Sequence, residues 1–375
     1  MTSATVERPA APPSPPGERR APRLYALDGL RLVCALAVAG FHFGNSWRLD
    51  GVHGGSYHLP GAAPVLIYGF LGVETFFLIS GFVIMMSGWG RTVRQFAVSR
   101  AARLYPAFWA GVLLTTLVAT LLPISGGLPF SRLPEGGRDV VVNLTMLAEP
   151  LNVPLVDTIY WTLWYEIRFY LIVACLIAGG LTDRRVKIFG AGWLVAALVL
   201  PAFPGAWLTE LVMPGFAPYF IAGMTLFLLR RHRRDGWLWL LLAACWLVSL
   251  QRVHLRVLDL RPGFAVAEWP ALVMITLVYG MLLAIALGAA DRLRWRWLVT
   301  AGALTYPFYV IHQRAGYSLI RTLQARTGWD AGVVIALVVG ALLATAWLIH
   351  RLVERPLAPR LTRFLSARHF SRIGG

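Results

Sequence analysis

Ten stretches of this 375-residue chain are apolar enough and long enough to leave it few ways to fold. A helix that crosses a bilayer needs about 20 mostly apolar residues. The segments 25–45, 63–86, 104–125, 160–180, 188–204, 212–229, 236–251, 269–288, 298–321 and 331–350 approach or meet that length, 236–251 being the shortest. One such run could be a buried core helix. Ten cannot be covered by the remainder, because only 14% of residues are charged against about 25% in soluble domains. Disorder is excluded for most of the chain by the same hydrophobicity. The expected fold class is all-α, a polytopic membrane bundle of about ten transmembrane helices. Segment 139–148 is too short to cross and reads as an interfacial or re-entrant piece.

Charge orients the bundle. The net charge is +17, from 35 Lys+Arg against 18 Asp+Glu, and Lys187 is the only lysine. A basic chain can bind nucleic acid if its cations share one face. Here they fall between apolar runs, so no nucleic-acid partner is expected. Cytoplasmic loops of membrane proteins collect Lys and Arg. With the N-terminus inside, the inner segments hold 24 cations and the outer segments seven. An even number of spans then leaves both termini cytoplasmic, in a multi-pass protein of the plasma membrane whose outer surface meets membrane lipid.

Residues 1–22 contain six prolines and no apolar period, so a disordered cytoplasmic tail is expected there. Arg19-Arg20 resembles a twin-arginine signal. The run that follows begins with Asp28 and Arg31, and nine further spans come after it, which argues against cleavage. Residues 23–356 then form the membrane domain and 357–375 a basic cytoplasmic tail. Cys34, Cys175 and Cys245 each lie in an apolar run without CxxC spacing, so no disulfide or metal site is expected. His53 and His58 share a Gly-rich outer loop with no third ligand nearby and read as solvated.

Ionisable groups at membrane depth are costly and mark cavities or partners. The spans contain Asp28, Arg31, His42, Glu74, Glu166, Arg168, His312 and Arg314. Arg31 and His42 lie 11 positions apart, which on a helix leaves them about 20° apart in azimuth and about 16 Å apart along the axis. Asp28, one turn before Arg31, falls near the same stripe and can pair with it. The first span therefore carries a polar seam, where the bland alternative is a structural ion pair plus a core histidine. Arg100 and Arg103 form an i, i+3 pair able to fork around phosphate oxygens, although spacing alone favours ordinary anchoring at the inner face. Trp161 and Trp164 suit an interfacial belt. Glu166 does not, and Arg168 and Tyr170 are near enough in sequence to satisfy it. Tyr306-Pro307 followed by His312 and Arg314 repeats the theme.

The same residues carry a family resemblance. Leu27-Asp28-Gly29-Leu30-Arg31 leading to Phe41-His42, the block from Gly72 through Glu74 and Phe76-Phe77 to Ser80-Gly81-Phe82, and Arg100 to Arg103 before Leu104-Tyr105-Pro106 resemble the acyltransferase 3 family of integral-membrane O-acyltransferases. So do Trp161-Thr162-Leu163 to Glu166 with Phe169-Tyr170, Leu304-Thr305-Tyr306-Pro307 through His312, and Glu354-Arg355-Pro356. Six blocks in order cover residues 25–356. Glu74 stands where the family often has aspartate, and Tyr165 and Ile167 flank Glu166 where smaller or polar residues are common. No soluble domain is appended, which points to a stand-alone membrane enzyme.

The resemblance implies acyl-CoA as co-substrate, with no permanently bound cofactor. It implies a hydroxyl acceptor on a sugar, a cell-envelope glycan or a glycosylated or polyketide metabolite. The acyl group would be acetyl or another short chain. A thioester is already activated, so the enzyme must chiefly place and deprotonate a hydroxyl. Histidine suits that duty near neutral pH, which makes His42 the expected general base. Glu74 or Glu166 could orient it, and Arg31 could hold the donor or the developing oxyanion. Arg100 and Arg103 are expected to bind the coenzyme phosphates. Asp28, Trp161, Arg168 and His312 are expected to contact substrate. Ser80 has no adjacent base. A transporter or flippase of a sugar, lipid or acyl compound is the competing class, weakened by the absence of a clear match between residues 25–180 and 188–350.

Overall fold

The computed structural model describes residues 24–46, 59, 61–123, 136–203, 207–260 and 266–367. The expected tail at 1–22, together with His53 and His58, lies outside the described residues. Among the described residues the regular structure is helical throughout. Helix α1 (Tyr25–Phe41) runs into a π-helical turn at His42–Ser46. A short α2 (Ala63–Leu66) and a 3-10 turn lead to α3 (Leu71–Gly88). Helix α4 (Val93–Leu121) starts on a capping box, with the Thr92 side chain accepting from the Gln95 backbone and the Gln95 side chain accepting from the Thr92 backbone, so two of the first-turn N–H groups find partners. The segment read as interfacial becomes α5 (Gly137–Asn143) and a run of turns.

Next come α6 (Trp161–Ala178), α7 (Asp183–Val199), the short α8 (Trp207–Val212) and α9 (Ala217–Arg231). Then follow α10 (Gly236–Leu260), α11 (Glu268–Ala286), α12 (Arg296–Tyr309), α13 (His312–Thr327) and α14 (Ala331–Ile349). A second π-helical turn at His350–Glu354 leads into α15 (Arg355–Ala367), which packs on α4 through Arg94 and the carbonyls of Leu365 and Ser366.

Among the described residues, eight helical stretches are long and apolar enough to cross a membrane. Two of the ten expected spans are built differently. The segment 212–229 folds mainly as α9, only 15 residues long, with Ala217 to Leu229 all buried. It is enclosed by α3, α7, α10 and α11. The segment 298–321 is not continuous. It breaks at Val310–Ile311 between α12 and α13.

Irregular backbone survives at membrane depth only where protein satisfies its polar groups. The break meets that condition. The Tyr309 carbonyl accepts from His312 Nδ1 at 2.8 Å, and the Val310 carbonyl accepts from the Tyr160 hydroxyl at 3.0 Å. At the start of α13 the buried Asp157 accepts from the Arg314 backbone N–H at 2.9 Å. It thereby caps a helix 157 positions away in sequence.

Two apolar clusters hold the bundle together, one centred on α3 and α9 and the other on α1, α4, α12, α13 and α14. Within the first, α3 and α9 touch at Gly81 and Gly223. A Cβ on either glycine would strike the other helix's backbone. Outward-facing residues such as Leu113, Leu240, Leu277 and Leu337 remain exposed, as a lipid-facing surface requires. Ion pairs gather the basic end of the bundle. Lys187 meets Asp235, Arg230 meets Asp291, and Arg231 and His232 meet Asp183. At Asp235, the bond from Lys187 holds the carboxyl below its ordinary pKa.

Candidate functional site

A cavity of about 240 Å³ lies at the seam between the two clusters. Its polar lining includes Arg31 of α1, Arg100 and Arg103 of α4, Glu166 and Tyr170 of α6 and Tyr306 of α12, together with the hydroxyl-bearing Ser80, Thr162, Thr305 and Tyr309. Its apolar lining includes Val73, Phe76 and Phe77 of α3 and Leu163 of α6. The i, i+3 and i, i+4 spacings that place side chains on one helix face explain the α4 and α6 groups. Arg100 and Arg103 share one face, as do Glu166 and Tyr170.

Each polar group has a local reason for its posture. Tyr170 donates to Glu166 Oε1. Arg103 is bonded to Glu354 Oε1, and His350 Nδ1 lies 2.8 Å from Glu354 Oε2. The second π-helical turn presents Glu354 and His350 together, and Glu354 is buried while the Arg103 side chain keeps 35% exposure. Arg103 thus stands at an open edge of the cavity. Arg100 donates to Ser99 Oγ at 3.1 Å, and its Nε is buried without a partner. The Tyr306 hydroxyl is likewise buried without a partner. Buried polar atoms are normally paired, so unpaired ones on a cavity wall mark where a ligand's polar groups would sit.

The expected residues separate into groups. Arg31, Arg100, Arg103 and Glu166 converge on the cavity. Asp28 lies beside them against α12, so close that a Cβ on Gly302 would sit 2.6 Å from its Oδ1. His42 and His312 do not line the cavity. They form a pair beyond Tyr309, with ring centroids 5.5 Å apart, and the Tyr309 ring is 5.5 Å from His312. Tyr309 itself closes that end of the cavity with Phe76, its hydroxyl 3.0 Å from Thr162 Oγ1. His42 is half-buried and His312 fully buried.

Three expected contacts fall elsewhere. Glu74 is buried in α3 and does not line the cavity, and its Oε2 has no hydrogen-bond partner. Arg168 does not serve Glu166. It bonds to the Glu210 side chain and backbone and lies over the Tyr165 ring, 4.1 Å from the centroid. Trp161 packs on Tyr165 and Phe216 at the same end.

Two residues of this region had no role assigned from sequence. Gln313 donates from Nε2 to His42 Nδ1 at 3.1 Å and accepts at Oε1 from the Ile159 backbone at 3.2 Å. Its only sequence signal is a polar residue beside a histidine at the end of an apolar run. Glu354 is the only acidic residue in 351–375 and stands four positions after His350, a spacing that pairs side chains on a helix.

Comparison with known proteins shows which family the chain resembles. A sequence model of the family described as "Acyltransferase domain" matches residues 24–351. The acyltransferase MdmB of Streptomyces mycarofaciens is 27% identical over 373 residues, covering 90% of this chain and 92% of that protein. The peptidoglycan O-acetyltransferase OatA of Listeria monocytogenes is 23% identical over 207 residues, covering 52% of this chain and 30% of that protein. No solved structure matches the chain.

Proposed function

Since the chain belongs to the acyltransferase 3 family, we propose that it moves an acetyl or other short acyl group from acyl-CoA to a hydroxyl. The acceptor hydroxyl belongs to a sugar, a cell-envelope glycan or a glycosylated or polyketide metabolite. The name of the peptidoglycan O-acetyltransferase relative supports a glycan hydroxyl. The reading carries ten crossings of the plasma membrane, counting α9 and the broken α12–α13 pair, with both termini cytoplasmic.

One observation carries it. Three guanidiniums and one carboxylate converge from three helices on a cavity whose remaining lining is apolar side chains and uncharged hydroxyls. Guanidiniums are suited to phosphate oxygens, and an apolar slot suits a pantetheine arm and a short acyl chain. Arg100 and Arg103 take the phosphates at the basic end, where cytoplasmic acyl-CoA arrives. Arg31, deeper in the slot, holds the donor nearer the thioester. The imidazole pair at the far end supplies proton transfer, with His42 the residue expected from the sequence. A direct transfer needs only to position the hydroxyl against an activated carbonyl.

The test is CoA release. Purified protein in vesicles, given acetyl-CoA and a glycan or glycoside acceptor, is expected to release free thiol in step with ester formed on the acceptor. Thiol release no faster than in empty vesicles, across acetyl-, propionyl- and succinyl-CoA, would overturn the reading.

A further inference from the structure

The helix break beyond the cavity sets the tautomers of two histidines. The two ends of the Gln313 amide are told apart by their partners. Oε1 faces the Ile159 backbone N–H, which can only donate, so Nε2 must be the end that faces His42 Nδ1. An amide nitrogen offers hydrogens and no lone pair. His42 Nδ1 therefore accepts, and the neutral ring carries its hydrogen on Nε2.

His312 is arranged the opposite way. Its Nδ1 lies 2.8 Å from the Tyr309 carbonyl, which can only accept. The hydrogen is on Nδ1 and the lone pair on Nε2. That Nε2 is buried and has no hydrogen-bond partner, in a side chain with 0% exposure. An unpaired buried acceptor is costly and calls for a donor that arrives with a ligand. The two neighbouring rings are thus opposite tautomers, with the hydrogen on Nε2 of His42 and the lone pair on Nε2 of His312.

We propose that His312 is the proton acceptor of the transfer and that Gln313 is a positioning residue that holds His42 as a hydrogen-bond donor. This division rests on the acyl-transfer reading above. The acceptor's hydroxyl oxygen bonds to the thioester carbonyl carbon while its proton passes to His312 Nε2. The negative charge gathers on the carbonyl oxygen, which takes a hydrogen bond from His42 Nε2–H. The C–S bond then breaks, the carbonyl reforms, and the departing thiolate takes the proton from His312. His42 keeps its own hydrogen throughout. The thioester reaches the pair past Tyr309, whose side chain must turn away from Thr162 to join cavity and imidazoles.

Two readouts test this. The first needs no turnover. Nitrogen-15 histidine NMR of the protein in lipid nanodiscs, assigned with His42→Gln and His312→Gln variants, is expected to show hydrogen on Nε2 of His42 and on Nδ1 of His312. The reverse at either ring overturns the proposal. The second is kinetic. Gln313→Glu replaces the amide donor by a carboxylate and drives the His42 hydrogen to Nδ1. The expected result is a kcat lower by about 100-fold or more, with KM for acetyl-CoA within about threefold. An unchanged or higher kcat, as a carboxylate–imidazole base would give, overturns the proposal.

His42→Gln keeps a donor and is expected to stay at least about tenfold above His42→Ala, whereas equal rates overturn the donor role. His312→Gln is expected to lose about 1,000-fold, and a loss below tenfold overturns the acceptor role. Thermal unfolding of each variant identifies any that fails to fold, and the NMR result then decides. The two kinds of failure separate. Reversed tautomers overturn the imidazole division alone, while a wild-type protein that transfers nothing overturns the reading on which it rests.

Discussion

Arg103 and Glu354 are 251 positions apart in sequence and bonded side chain to side chain. The carboxylate is nearly enclosed, the guanidinium is at the mouth of the cavity, and His350 holds the second carboxylate oxygen. The contact ties the end of α14 to the start of α4 and fixes where a cavity charge stands. Glu354→Gln and Arg103→Gln are each expected to cost about 1–3 kcal/mol of stability. The double variant should cost less than the sum, because a charge left without its partner is the main penalty. Unfolding in detergent measures all three, and strictly additive losses would show that the two groups are not coupled.

Arg100 makes no ion pair with a carboxylate among the described residues and has a buried nitrogen to spare. Arg100→Ala is expected to raise KM for acyl-CoA about tenfold while kcat stays within about threefold, as loss of one charge-assisted contact made equally in ground and transition states requires. A change confined to kcat, or to the acceptor's KM, would remove the phosphate role.

Gly81 and Gly223 let α3 and α9 meet backbone to backbone. Unlike a flexible side chain, backbone cannot move aside. Gly81→Ala and Gly223→Ala are expected to abolish the folded, monodisperse protein in detergent, where Gly280→Ala, at a glycine facing open space, leaves it intact. Normal size-exclusion profiles for the first two would mean that the helices separate at little cost.

Asp157 accepts from the backbone N–H groups of Arg314 and Ile159, at 2.9 and 3.3 Å, and is wholly buried. Asp157→Ala leaves the first turn of α13 uncapped and is expected to cost about 1–3 kcal/mol. It should also loosen Gln313, whose Oε1 shares the Ile159 N–H, and so lower kcat more than KM. A thermal midpoint and kcat both equal to wild type would dissociate the cap from the imidazole pair.

Much of this was legible in the residues. Among the described residues the apolar runs mark eight helices that could cross a membrane, and of the charges read inside the spans Arg31 and Glu166 line the cavity, joined by Arg100 and Arg103 from the segment read as flanking the third span. Helical periodicity also puts Arg31 and His42 on one face of the first expected span. Periodicity carries no information about height relative to a neighbouring helix. The cavity takes Arg31 but ends at Tyr309, before the level of His42. The break at Val310–Ile311 was hidden for a related reason. Its residues are apolar and helix-compatible, and the carbonyls it frees are satisfied by Tyr160 from another segment and by His312 itself.

The amino-acid sequence by itself determined that this protein is a bundle of membrane helices with basic groups at one end and a family's motif blocks along its length. Hydropathy and helical spacing are properties of one segment at a time, so one segment suffices to read them. Which groups meet was decided by the tertiary structure alone. The pairing of Glu354 with Arg103, the cap that Asp157 gives α13, and the choice of nitrogen on His42 all depend on donors and acceptors brought from distant segments. A hydrogen bond reaches about 3 Å, and only packing sets distances that short between helices far apart in the chain.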